Sequence, residues 1–195
     1  MLRVWSGMGY NRRAKYLRDA AKAIVQKHEG HVPRDYDELR ALPGVGDYTA
    51  RAVRVFAFNE SDILIETNIR AALIHQFFRG ATQIRDREVI EIAEKVAKRQ
   101  DPRKWHSALM DYGVFIKKLH DNPSRNSAHY AVQPKFKGST RQVRGAIMRS
   151  LQSGPHGDLA LTQHLQLDGK KIREALRTLV RDGLVVSSKG SWRIA

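Results

Sequence analysis

The sequence contains no cysteine, and that absence excludes disulfides, thiolate zinc sites and cysteine-ligated iron–sulfur clusters. No run approaches the roughly 18 apolar residues that a membrane span needs, so an integral membrane protein is excluded. The first ten residues lack the basic-then-apolar layout of a secretion signal, and the expected location is the cytoplasm. Aromatic residues make up only 8% of the chain, and acidic residues are few, 20 against 35 basic ones. The eight histidines are scattered, two of them around Gly30 and the rest between 75 and 164, so no metal site is expected. What remains is a chain of 195 residues, 42% hydrophobic, with a net charge of +15. That is enough to bury a core. Its charge points first to nucleic acid and then to anionic membrane surfaces.

The charge is uneven. Residues 1–116 carry 20 basic and 15 acidic side chains, and residues 117–195 carry 15 and 5. Near Lys117 the composition turns to Pro, Asn, Ser and Gly, through Asn122-Pro123-Ser124 to Gly138-Ser139. Low apolar periodicity there reads as a linker over 117–140. Before it every element reads as helix. Leu17, Ala20, Ala21, Ile24 and Val25 mark one amphipathic face. Asp35 with Glu38 has the spacing of a capping box. Ala50, Val53, Ala57 and Phe58 mark a second helix, and Thr67 is the expected N-cap of a third over 68–78. Two more helices are expected over 88–99 and 105–118. After residue 140 come three helices, the last marked by Ile172, Ala175, Leu176, Leu179 and Val180. Two short strands follow around Lys189-Gly190. Three helices and a terminal hairpin are the plan of a winged helix-turn-helix.

The sharpest motif is Leu42-Pro43-Gly44-Val45-Gly46, followed by Asp47-Tyr48-Thr49-Ala50. Two glycines two residues apart permit a tight, partly left-handed turn free of side chains. Its amides, with the N-terminus of the next helix, can receive a phosphate oxygen. This is the logic of a helix-hairpin-helix DNA-binding element, in which Gly44, Val45, Gly46, Tyr48 and Thr49 face the backbone of DNA.

A family resemblance is carried by residues that stand in order along the chain. They are Trp5-Ser6-Gly7-Met8-Gly9-Tyr10, then Arg13-Ala14, the hairpin through Ala50, Phe56-Ala57-Phe58, and Ala108-Leu109-Met110-Asp111-Tyr112-Gly113. Together they resemble the helix-hairpin-helix base-excision DNA glycosylases, most closely the MutY-type adenine glycosylases that act opposite 8-oxoguanine. The match covers nearly all of residues 1–120. It implies a carboxylate about twenty positions past the hairpin that stabilises the cationic sugar as the base leaves. Here that position is Glu66, in place of the family's aspartate. A fixed anion near C1′ suits an oxocarbenium-like species. The extra methylene moves the carboxylate by roughly 1.5 Å. Glu66 also reads, more plainly, as a helix-capping side chain.

Tyr48 stands where lyase members of the superfamily carry a lysine, and a phenol cannot form a Schiff base. Similar tyrosines in thymine-mismatch relatives keep that substrate class open, and an aromatic packing beside the hairpin is the plainer reading. Tyr10 falls in the run that touches the stretched duplex, or else in the core, and Arg13 follows it as a DNA contact. The four cysteines that hold a [4Fe–4S] cluster in most relatives correspond to Lys117, Ser124, Ser127 and Gln133, so no cofactor is expected. Lys170, Lys171 and Arg173 on the last helix are candidate phosphate contacts of a DNA clamp; the alternative is a protein-docking module. Relatives carry several dozen residues before the segment resembling Met1–Tyr10, including a glutamate that protonates the departing adenine. The chain as given is therefore expected to bind DNA and to excise adenine poorly.

The expected fold is mainly α: a helix-hairpin-helix glycosylase domain over 1–116, a basic linker over 117–140, and a winged-helix domain with a terminal β-hairpin over 141–195. Catalysis is assigned to Glu66 and Tyr48. The expected partner is double-stranded DNA with a mismatch or an oxidised base, bound by a nucleoid-associated monomer that contacts no membrane. The expected reaction is monofunctional excision of adenine opposite 8-oxoguanine or guanine. Thymine or uracil mismatch excision and a non-catalytic DNA-binding protein are the alternatives.

Overall fold

The computed structural model describes residues 4–5, 8–188 and 190–195. Met1, Leu2, Ser6 and Gly7 of the first motif and Lys189 of the wing turn lie outside the described residues. The chain divides into two compact units, Ile24–Val132 and the combination of Met1–Ala23 with Gln133–Ala195. Among the described residues no helix is long and apolar enough to cross a membrane.

The unit spanning residues 24–132 is helical. It holds α2 (Tyr36–Arg40), α3 (Asp47–Phe56), α4 (Thr67–Phe77), α5 (Asp86–Ala97), α6 (Pro102–Leu119) and a 3₁₀ turn over Pro123–Asn126. Its centre is α4, in which five residues from Ile69 to Ile74 are buried and only Arg70 of that run is partly open. A helix that is apolar on every side belongs in the middle of a core. Val55 of α3, Leu64, Ile84, and Val89 and Ala93 of α5 close around it. Helix α3 ends at Phe56 and buries Ala50 and Val55; Ala57, expected on its apolar face, is exposed.

Residues 117–132 are not a linker. Lys117 to Leu119 complete α6, the 3₁₀ turn packs on α4, and the amide of Ile84 donates to the carbonyl of Asn126 at 3.0 Å. Ser124 and Ser127 are buried. Composition misled here because the segment is held by hydrogen bonds rather than by an apolar stripe.

The second unit contains α7 (Thr140–Ser150), α8 (Asp158–Leu165), α9 (Gly169–Arg181), β1 (Val185–Ser188) and β2 (Ser191–Ile194). The strands pair antiparallel, Val185 opposite Ile194, around a positive-φ Gly190. Val143, Ile147, Leu161, Ile172, Leu176 and Leu179 form its core. The Arg144 guanidinium fastens α7 to the end of α9, donating to Thr178 Oγ1 and Asp182 Oδ2 at 2.6 Å each. This is the order of a winged helix, as the sequence suggests. Helix α1 (Arg12–Lys27) contributes its first part to this unit, and so residues 1–23 do not group with residues 24–132. It buries Ala14 and Ala20, whereas Leu17 and Val25 are exposed.

His106 on α6 is buried, and its two ring nitrogens have partners that fix one tautomer. Nδ1 lies 2.8 Å from the carbonyl of Pro102 and must donate, while Nε2 accepts the amide of Leu64 at 3.5 Å. Burial pushes its pKa down, against the Pro102 carbonyl and the charge of Asp62. The unfolded chain therefore binds the proton more readily than the folded one, and stability rises with pH through the histidine range. We predict that stability declines as pH falls below about 6.5, and that His106→Phe flattens this dependence. Denaturant midpoints across that range, variant against wild type, measure it.

Candidate functional site

The hairpin joins α2 to α3. Buried Leu39 and Leu42 anchor its base, and Asp35 caps α2 by accepting the amides of Asp37 and Glu38. Gly44 takes φ +76°, a left-handed conformation that strains any side chain. Gly46 does not: it is the extended N-cap of α3, with φ −92° and no side-chain cap bond. The second glycine is thus a bare cap, which leaves the first-turn amides of α3 without a side-chain partner. Gly44, Gly46, Tyr48 and Thr49 are exposed and Val45 partly so. Anions are favoured at such a helix start.

Helix α3 positions the next segment. The Tyr36 hydroxyl donates to Asp47 Oδ1 at 2.5 Å, and Arg51 Nε reaches the same oxygen at 3.1 Å. Arg51 and Arg54 then clamp the Asp62 carboxylate, at 2.5 and 3.1 Å. That side chain is 7% exposed, so the pairs are well screened from solvent and hold the extended residues 62–65 against the helix. These residues deliver Glu66 to the start of α4.

Glu66, not Thr67, is the N-cap. Its Oε1 accepts the amides of Asn68 at 2.6 Å and Ile69 at 2.8 Å. The capping reading and the catalytic reading of this carboxylate are therefore compatible: the helix start fixes the anion in place. Tyr48 faces the same charge. Burial and the negative charge of Glu66 raise the Tyr48 phenol above its ordinary pKa, which keeps it a hydrogen-bond donor. Tyr48 also stands at a cavity of about 750 Å³ walled by Asp62, Ile65, Ile90 and Trp105; Glu66 is not among its walls.

Three features of residues 113–124 brace the first turn of α4. At Gly113 a Cβ would lie 2.0 Å from the carbonyl oxygen of Asn68, so α6 crosses here only because the side chain is absent. Lys117 Nζ donates to Asn68 Oδ1 at 2.9 Å, and Ser124 Oγ to the carbonyl of Thr67 at 3.0 Å. One turn along α4, Arg70 forms a two-pronged pair with Asp86 at 2.9 and 2.8 Å, which lowers the Asp86 pKa.

The helix-hairpin-helix motif matches residues 27–56. The adenine DNA glycosylase of Mycolicibacterium smegmatis is 29% identical over 95% of this chain and 69% of its own length. That of Buchnera aphidicola is 33% identical over 65% of this chain and 36% of its own. The thymine/uracil-DNA glycosylase of Methanothermobacter thermautotrophicus is 29% identical over 54% and 49%. By this motif and these relatives, the chain is similar to the helix-hairpin-helix DNA glycosylases over most of its length.

The structure brings Gly44, Val45, Gly46, Tyr48, Thr49 and Glu66 together in the unit of residues 24–132. Tyr10, Arg13, Lys170, Lys171 and Arg173 belong to the other unit. Tyr10 is exposed rather than core, with the Arg13 guanidinium 4.8 Å from its ring centroid. Lys170, Lys171 and Arg173 are exposed on α9 opposite its buried Ile172, Ala175 and Leu176. Three of the four positions that correspond to cluster ligands by resemblance have other partners in the fold. Lys117 and Ser124 spend their polar atoms on Asn68 and Thr67, and Ser127 Oγ accepts the amide of His129 at 3.1 Å. Asn68, Asp62, Arg70 and Lys117 escaped the sequence-based choice of site residues. The sequence marks Lys117 as a basic loop residue and a cluster position, and Gly113 as part of a motif, without showing their contacts with Asn68.

Gly113 and Gly46 should respond differently to alanine. We predict that Gly113→Ala costs about 1–3 kcal/mol or more, as overpacking against backbone does. Gly46→Ala, whose Cβ would meet only Arg40 Nη1 at 3.9 Å, should cost less than about 1 kcal/mol. Chemical denaturation of the two variants checks the order.

Proposed function

We propose that this chain is a monofunctional DNA glycosylase of base excision repair that removes adenine mispaired with 8-oxoguanine or guanine. The observation that carries the reading is the Glu66 carboxylate, held by two α4 amides and charge-coupled to Tyr48 at the start of α3. Its relatives over most of this length bear the name adenine DNA glycosylase. In this reading the first-turn amides of α3, behind the Gly44–Gly46 turn, take the backbone phosphate, and the target nucleotide leaves the stack. Glu66 then stabilises positive charge at C1′ as the bond to the base breaks, and water completes the hydrolysis. Tyr48 offers a hydroxyl but no amine, so no Schiff base forms through it. Tyr10 and Arg13 supply further DNA contacts. Lys170, Lys171 and Arg173 of α9 add sequence-independent phosphate contacts, making the winged unit a clamp. The reaction needs no cofactor, and the protein acts as a monomer on chromosomal DNA.

A second reading, excision of thymine or uracil from mismatches, is favoured by Tyr48 and by the similarity to the Methanothermobacter enzyme. A panel of duplexes under single-turnover conditions, followed long enough to register slow release, separates them. We predict release of adenine opposite 8-oxoguanine or guanine, and a fall of at least about a hundredfold in Glu66→Gln with duplex affinity retained. Release confined to T:G or U:G substrates would support the second reading. Binding without release from any of them would leave a DNA-binding protein.

A further inference from the structure

We propose that Lys117 is a positioning residue for Glu66: from the end of α6 it holds Asn68 and sets a positive charge beside the carboxylate. The proposal rests on the glycosylase reading for its catalytic consequence, while the coupling itself is a property of the folded chain.

Two hydrogen bonds make the connection. Lys117 Nζ donates to the side-chain Oδ1 of Asn68 at 2.9 Å, and the backbone N–H of Asn68 donates to Glu66 Oε1 at 2.6 Å. Lysine can only donate, so it fixes which end of the Asn68 carboxamide faces it and leaves the NH₂ as a donor on the other side. Gly113, one turn earlier on α6, allows the helices to come this close. Any movement of α6 is thus passed to the turn that carries the catalytic carboxylate.

The charge matters as well as the bond. Among the described residues Lys117 has no carboxylate within ion-pair distance, whereas the neighbouring cation Arg70 is neutralised by Asp86. Lys117 is half-buried, and burial lowers its pKa, joined by repulsion from Arg70 and opposed by attraction to Glu66. A half-buried ammonium is costly unless a counter-charge faces it. A neutral donor could make the bond to Asn68 equally well. The anion that repays the lysine is Glu66, which has Lys117 on one element and the Tyr48 phenol on another.

The test has two arms on the full chain. In the first, lysine side chains labelled at Cε are titrated by NMR without DNA. Lys117 should titrate below the other lysines, and Glu66→Gln should move it lower still, because coupling between sites is reciprocal. A Lys117 midpoint indifferent to Glu66→Gln would overturn the proposal. The second arm measures single-turnover adenine release and duplex affinity. Lys117→Met should slow release by about tenfold to a hundredfold with little change in affinity, and Lys117→Arg should restore most of the rate. Equal rates in the two variants, or an affinity loss matching the rate loss, would contradict it. If the wild-type chain releases no base, the proposed activity fails, and the NMR arm still decides the coupling.

Discussion

Two backbone amides at the start of α4 receive one carboxylate oxygen of Glu66, and the arrangement of the unit around residues 24–132 follows from keeping them where they are. Helix starts carry unpaired donors and a partial positive charge, so a carboxylate placed there is bound and oriented together. The helix that supplies the amides cannot shift, because Ile69, Leu73 and Ile74 are sealed in the core. Its first turn is met by α6 at the one residue of that helix without a side chain, Gly113. Core packing therefore determines the position of a polar group at the surface, and the half-buried carboxylate needs no rearrangement before it can act on charge.

The hairpin and the carboxylate communicate through a chain of polar contacts. Asp47, in the first turn of α3, is tied to Tyr36 and Arg51, and Arg51 is shared with buried Asp62. Asp62 begins the extended run that ends in Glu66, and His106 holds the middle of that run through Leu64. An anion bound by the free amides at the hairpin would be registered against Glu66 by this framework. A glycosylase has the same geometric requirement: the phosphate sets where the sugar lies, and the sugar must lie against the anion.

Much of this was legible in the chain. The P-G-V-G turn between two helices and the three helices with a terminal hairpin follow from local spacing, and the family resemblance singles out Glu66 twenty residues past the turn. What was not legible depends on contacts between distant residues. Thr67 is a better N-cap by type than Glu66, yet the extended run from Asp62 delivers the glutamate one residue earlier. The stretch after Lys117 has the composition of a loop, and it is folded because Ser124 and the carbonyl of Asn126 find backbone partners on other elements. Leu17 and Val25 share a helical stripe, but α1 is buried through Ala14 and Ala20. Lys117 shows its role only when α6 is laid across Asn68.

The fixed carboxylate can be tested without any substrate, by amide hydrogen exchange at Asn68 and Ile69 in wild type and Glu66→Ala. If the side chain caps α4, these two amides are protected in the wild type and exposed in the variant. The rest of α4 should stay protected, and stability should drop by about 0.5–2 kcal/mol. Unchanged exchange at both amides in Glu66→Ala would mean that the carboxylate is not held there, and the site would lose its organising contact.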